Sequence, residues 1–143
     1  MNAALAVMAE CRKFEQTLQT MKFSADKKEK YVLLTISEAK LNSEVSPELK
    51  AEFVVLNSEN VKNIIVDLAS VQYCDSSGLS ALLVGNRFCR NSNGSFILTN
   101  IQDHVKKLIS ISQLDNILIS TPTVSEAVDF LFMEEIEKQI QKD

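Results

Sequence analysis

Four consecutive residues, Asp75-Ser76-Ser77-Gly78, carry the most chemistry in this 143-residue chain. They offer two adjacent hydroxyls, a carboxylate and a glycine between an apolar run that reads as a strand and Leu79, Leu82, Leu83 and Phe88 at helical spacing. A hydroxyl at a strand-to-helix turn can act as a nucleophile, as a helix cap or as a phosphoacceptor. Asp and Ser are favoured caps, so capping alone accounts for much of the pattern. A phosphorylated serine there would carry about -1.5 to -2 charges, which the positive end of the helix dipole tolerates. A partner fitted to a neutral hydroxyl would then meet an anion, which is the logic of a reversible switch.

A hydrolase reading competes. The nucleophile elbow G-x-S-x-G needs glycine where Cys74 stands. The one histidine, His104, next to Asp103, would be the only imidazole base. Three cysteines, Cys11, Cys74 and Cys89, have no CxxC spacing, so they suggest neither a disulfide framework nor a zinc site. Cys74 and Cys89 read as small core residues. The net charge of -4 argues against binding a phosphate backbone. No run of about 18 apolar residues is present to insert in a membrane, and Met1 to Met8 lacks a basic n-region. The expectation is a cytoplasmic protein.

The elements that must position this segment read in order. Leu5, Met8, Cys11, Phe14 and Leu18 form one apolar stripe, a helical extension over residues 1–20. A second reading stays open, in which Met21 is the true start and the leader is an artefact of start-site choice. Lys22 to Ala25 and Tyr31 to Ile36 read as a hairpin. Ser46-Pro47-Glu48 reads as a helix start with a serine cap, followed by Leu49, Phe53 and Leu56 on one face. Val61 to Leu68 is a buried strand, apolar on both faces. The helix after Ser76 ends near Asn91-Ser-Asn-Gly94. Ser95 to Thr99 is a strand, Val105, Leu108 and Ile109 mark a helix, and Ile117 to Ile119 is a strand. Thr123 to Glu126 is a capping box opening the last helix. Such alternation implies one α/β domain over residues 21–143, a mixed, mostly parallel sheet flanked by about four helices. Its expected core is Ile64, Val66, Leu68, Leu79, Leu82, Leu83, Ile97 and Leu108.

From about Met21 to Phe132 the chain resembles the STAS family, whose founding members are bacterial anti-sigma factor antagonists. The resemblance rests on Asn63 to Leu83, with Asp75-Ser76-Ser77-Gly78-Leu79 at its centre, and on Val105 to Leu118. It implies an antagonist that binds an ATPase-fold anti-sigma factor serine kinase, releases a sigma factor and is not itself an enzyme. Ser76 would be the phosphoacceptor and a PP2C-type phosphatase would reverse the modification. Asp75, Ser77 and Gly78 would shape the phosphorylation loop, with Asn42 on the kinase-facing surface. The nucleotide belongs to the kinase, so neither cofactor nor metal is expected here. A homodimer stays open.

Two departures stand out. The family's Gly-Glu-Leu-Asp-like segment reads Ser37-Glu38-Ala39-Lys40-Leu41-Asn42, and Ser80 replaces a frequent glycine. The resemblance also admits a STAS subunit of a lipid-transport ABC complex, or a stressosome-like scaffold, with no sigma factor involved.

Overall fold

The computed structural model describes residues 23–142; the helix expected over residues 1–20 lies outside them. The hairpin forms from β1 (Phe23–Lys27) and β2 (Val32–Ile36), antiparallel with Phe23 opposite Ile36. Helix α1 (Ser46–Ser58) leads to β4 (Ile64–Asp67), α2 (Ser76–Asn91), β6 (Phe96–Thr99), α3 (Asp103–Ile111), β7 (Ile119–Thr121) and α4 (Val124–Lys142). Two short strands, β3 (Lys40–Leu41) and β5 (Tyr73–Cys74), pair with each other apart from the main sheet. That sheet runs β1-β2-β4-β6-β7, and every pair except β1–β2 is parallel.

Burial on both sheet faces explains the unbroken apolar runs Ile64-Ile65-Val66 and Phe96-Ile97-Leu98. Ile64, Val66, Phe96 and Leu98 pack in the main core with Leu49, Phe53 and Leu56 of α1, Leu79 and Leu82 of α2, and Val105 of α3. Ile65 and Ile97 point the other way, onto Ala127 and Leu131 of α4. Among the described residues the result is three layers, with α1 to α3 on one side and α4 on the other.

Several expectations shift. Ile117 to Ile119 is not the strand, which begins at Ile119. The preceding turn drops Leu118 into the core and leaves Ile117 exposed. Leu83 and Leu108 only flank the core and are half-buried. Among the described residues the left-handed positions are Asn60, Asn93, Asn100 and Gln113, so the turn after α2 uses Asn93 rather than Gly94 for its positive φ. The Thr123 hydroxyl accepts from the Glu126 amide at 3.2 Å, as a capping box requires. Cys74 and Cys89 are buried, and burial pushes both thiols up to about 12. No helix among the described residues is long and apolar enough to cross a membrane.

Candidate functional site

The Asp75–Gly78 turn sits where β5 hands over to α2. Asp75 is the cap. Its backbone is extended (φ -106°, ψ -173°) and its carboxylate accepts from the Gly78 amide at 3.0 Å. Ser76 therefore has no capping duty. It is exposed, and among the described residues its hydroxyl has no hydrogen-bond partner. The capping account and the accessible hydroxyl thus fall on different residues.

Ser77 turns inward. Its Oγ lies 2.6 Å from Asp75 Oδ1 and 3.2 Å from Ser46 Oγ, which in turn lies 2.7 Å from the Asn42 carbonyl oxygen. Three contacts compete for two hydroxyl protons. Neither a carboxylate nor a carbonyl can donate, so the two short contacts take the protons. The 3.2 Å contact is then the weak second arm of the Ser46 proton. Ser46 is buried and forms the first residue of α1, whose cap position is Val45 with no side-chain capping bond. This corrects the reading of Ser46 as a cap: its hydroxyl ties the Asn42 turn to the Ser77 turn.

The β3–β5 ladder makes the same connection through the backbone. Leu41 pairs with Cys74, and the Asp75 amide donates to the Leu41 carbonyl at 3.2 Å. Asn42 follows directly, its Oδ1 accepting from the Glu44 amide at 3.0 Å. All five residues singled out by sequence, Asn42, Asp75, Ser76, Ser77 and Gly78, are therefore in one neighbourhood. Two others were missed. Ser46 was hidden by its resemblance to a cap, and the exposed Tyr73 stacks on His104 with ring centroids 6.0 Å apart and an interplanar angle of 24°. Among the described residues no hydrogen bond joins His104 to Ser76 or Asp103, so the hydrolase arrangement gains no geometric support.

The Ser77 hydroxyl, and after it the Gly78 amide, holds the Asp75 carboxyl below the usual carboxylate range. A depressed folded-state value contributes stability above the unfolded value of about 3.9, and that stability is lost as pH falls through the folded value. Asp75→Asn keeps a capping side chain but removes the charge. At neutral pH this variant should melt below the wild type, and the gap should narrow as pH falls below about 4. Melting curves recorded across that window check it; a gap that stays constant with pH would show that the carboxylate charge contributes nothing.

With this geometry established, relatives can be compared. The family model described as the STAS domain matches residues 22–129. BtrV of Bordetella bronchiseptica, a protein assigned as an anti-sigma factor antagonist, is 26% identical over 92 residues, covering 64% of this chain and 78% of BtrV. A Thermotoga maritima protein described in the same terms superposes with a TM-score of 0.69 at 23% identity, covering 76% of this chain and 93% of that one. The Bacillus anti-sigma factor antagonist SpoIIAA gives TM-scores of 0.65 unphosphorylated and 0.60 phosphorylated, at 23% and 22% identity; each match covers 75% of this chain, and 93% and 96% of SpoIIAA. A sulfate transporter family protein from Wolinella succinogenes reaches 0.57 at 19% identity, covering 71% of this chain and 84% of its own. At these identities the solved structures establish the fold and leave its use open. The family model, which spans three-quarters of the chain and includes the Asp75–Gly78 turn, places it: the chain belongs to the STAS domain family.

Proposed function

We propose that this chain is a phosphorylation-controlled interaction switch of the anti-sigma factor antagonist type, with Ser76 as its phosphoacceptor. The observation that carries this reading is the division of labour at the α2 N-terminus. Asp75 caps the helix while the next residue presents an exposed hydroxyl with no partner among the described residues. A modification there leaves every hydrogen bond of the turn in place. BtrV and SpoIIAA, both similar to this chain, carry the antagonist name, and SpoIIAA keeps the fold in its phosphorylated form.

In this reading an ATPase-fold kinase, itself an anti-sigma factor, binds the surface around Ser76 and Asn42. While bound, it releases its sigma factor. Ser76 Oγ then attacks the γ-phosphorus of ATP held by the kinase: the new O–P bond forms, the bond to ADP breaks, ADP leaves and the hydroxyl proton passes to a base of the kinase or to water. The added dianion sits beside the ionised Asp75. Its desolvation cost on rebinding separates the partners, until a PP2C-type phosphatase hydrolyses the ester. The chain supplies a surface and an acceptor, and no catalysis. Residues 21–143 form the working unit, in the cytoplasm where kinase and ATP meet.

Ser76→Ala should leave stability within about 0.5 kcal/mol of wild type, since no bond is lost. The deciding experiment is affinity capture from native lysate with wild-type, Ser76→Ala and Ser76→Asp baits, followed by mass spectrometry of the partners and of the Ser76 peptide. Capture of an ATPase-fold kinase by the first two baits and not the third, with phosphate on Ser76, is the expected result. The rival outcome is the STAS subunit of a lipid-transport ABC complex that the family resemblance also admits. Retention of a permease–ATPase complex by all three baits, with Ser76 never modified, would make the chain a transport subunit and end the sigma-factor reading.

A further inference from the structure

Tyr73 and His104 form a pair of rings that take no part in the core. Tyr73 opens β5, and His104 is the second residue of α3, which packs against that strand. The rings stack with centroids 6.0 Å apart at 24°, inside the range that aromatic pairs prefer. Both residues stay exposed, Tyr73 at 44%. A lone exposed tyrosine would call for no explanation.

This one differs in place and in freedom. Alternation along β5 buries Cys74 and turns Tyr73 and Asp75 to the other side, so the ring shares its face with the residue that caps α2. Across the ladder Tyr73 pairs with the exposed Lys40, two residues before Asn42. Ring, cap, Ser76 and the Asn42 turn therefore adjoin along the outer side of the β3–β5 ladder. Tyrosine has only two side-chain torsions, and the stack on His104 restrains them. Little ordering is left to do when a partner closes over the ring.

Reach decides which partner meets it. A kinase that phosphorylates Ser76 must bring its nucleotide to about 3–3.5 Å from Oγ. A stable interface covers about 800 Å² per partner, a disc of roughly 16 Å radius. Tyr73 lies three residues from Ser76, at most about 11 Å along the chain. A patch of that size centred near Ser76 takes in Tyr73, and tyrosines enclosed in this way carry a large share of interface energy. We propose that Tyr73, held by His104, anchors the kinase while Ser76 acts as the switch. The anchor rests on the reading of Ser76 as phosphoacceptor. Its contact forms alike in the bound complex and at phosphoryl transfer, so it lowers KM and leaves kcat alone.

Steady-state phosphorylation of Ser76 tests this, with the full chain as substrate and the ATPase-fold kinase recovered by the Ser76→Ala bait. Tyr73→Ala should raise KM at least about tenfold with kcat within about twofold. Its melting midpoint should stay within about 3 °C of wild type, since an exposed ring is lost. Tyr73→Phe keeps the ring and its stack, and should hold KM within about threefold of wild type. His104→Ala frees the ring and should give an intermediate KM. An unchanged KM in Tyr73→Ala would overturn the anchor and leave Ser76 as phosphoacceptor untouched. A fall in kcat at constant KM would also overturn it, because Tyr73 would then act through the geometry of the Ser76 turn. If no such kinase is recovered, or it never modifies Ser76, the switch reading fails and the anchor falls with it.

Discussion

Phe53→Ala should cost about 3–5 kcal/mol, the largest loss expected from one truncation in this chain. Phe53 is fully buried on α1, and its ring meets Phe96 of β6 edge-on, centroids 5.6 Å apart at 75°. The third partner is an absence of side chain. A Cβ on Gly85 of α2 would lie 2.6 Å from Phe96 Cε1 and 2.8 Å from Phe53 Cζ. Glycine mid-helix costs roughly 1 kcal/mol against alanine, so this one is kept for the space that the two rings occupy. Gly85→Ala alone should therefore destabilise by about 1–3 kcal/mol through overpacking, despite its better helix propensity. In the Phe53→Ala background two of the three close contacts are gone and the Phe96 ring, the nearest of them, has room to shift. The double variant should therefore lose less than the sum of the two single losses. Urea denaturation of the four proteins checks this, and additive losses would mean that Gly85 does not respond to the Phe53 ring.

Much of this arrangement was legible because it is periodic. Val32, Leu34 and Ile36 alternate; Leu49, Phe53 and Leu56 step by helical turns; Ile64-Ile65-Val66 is apolar throughout because both faces are covered. What escaped has no period. The β3–β5 ladder is two residues per strand, too short for any pattern, yet it fixes Asn42 beside the Ser76 turn. Ser46 before Pro47 has the composition of a cap, and only tertiary contact could reveal that its hydroxyl turns to Asn42 and Ser77 instead. The Ile117-Leu118-Ile119 run is apolar for two reasons, a turn that buries Leu118 and a strand that begins at Ile119, and hydrophobicity alone merges them. The candidate site was legible only as a cluster of residue types that the fold brings together. Which hydroxyl is free and which is engaged was not, since Ser76 and Ser77 differ only in the direction that α2 gives them.

Gly78→Val should be the most damaging change within the site, costing about 3 kcal/mol or more. A Cβ here would press on the Leu41 carbonyl oxygen and lie 2.7 Å from Cys74 Sγ and 2.9 Å from Leu41 Cγ. Gly78 has no positive φ, so the requirement is close approach of α2 to the β3–β5 ladder and not backbone freedom. The carbonyl cannot step aside cheaply, because it accepts the Asp75 amide and belongs to the strand paired with Cys74. Relief must come from moving α2 outward, which strains the Asp75–Gly78 bond and draws Ser77 away from Ser46. Partner binding should consequently fall further in Gly78→Val than in Ser76→Ala, even at temperatures where both remain folded. Calorimetric melting with binding measured well below each midpoint separates the two effects. A Gly78→Val protein that melts like wild type would show that the contact between α2 and Leu41 is loose, and the rigid coupling of the Asn42 and Ser76 turns would have to be abandoned.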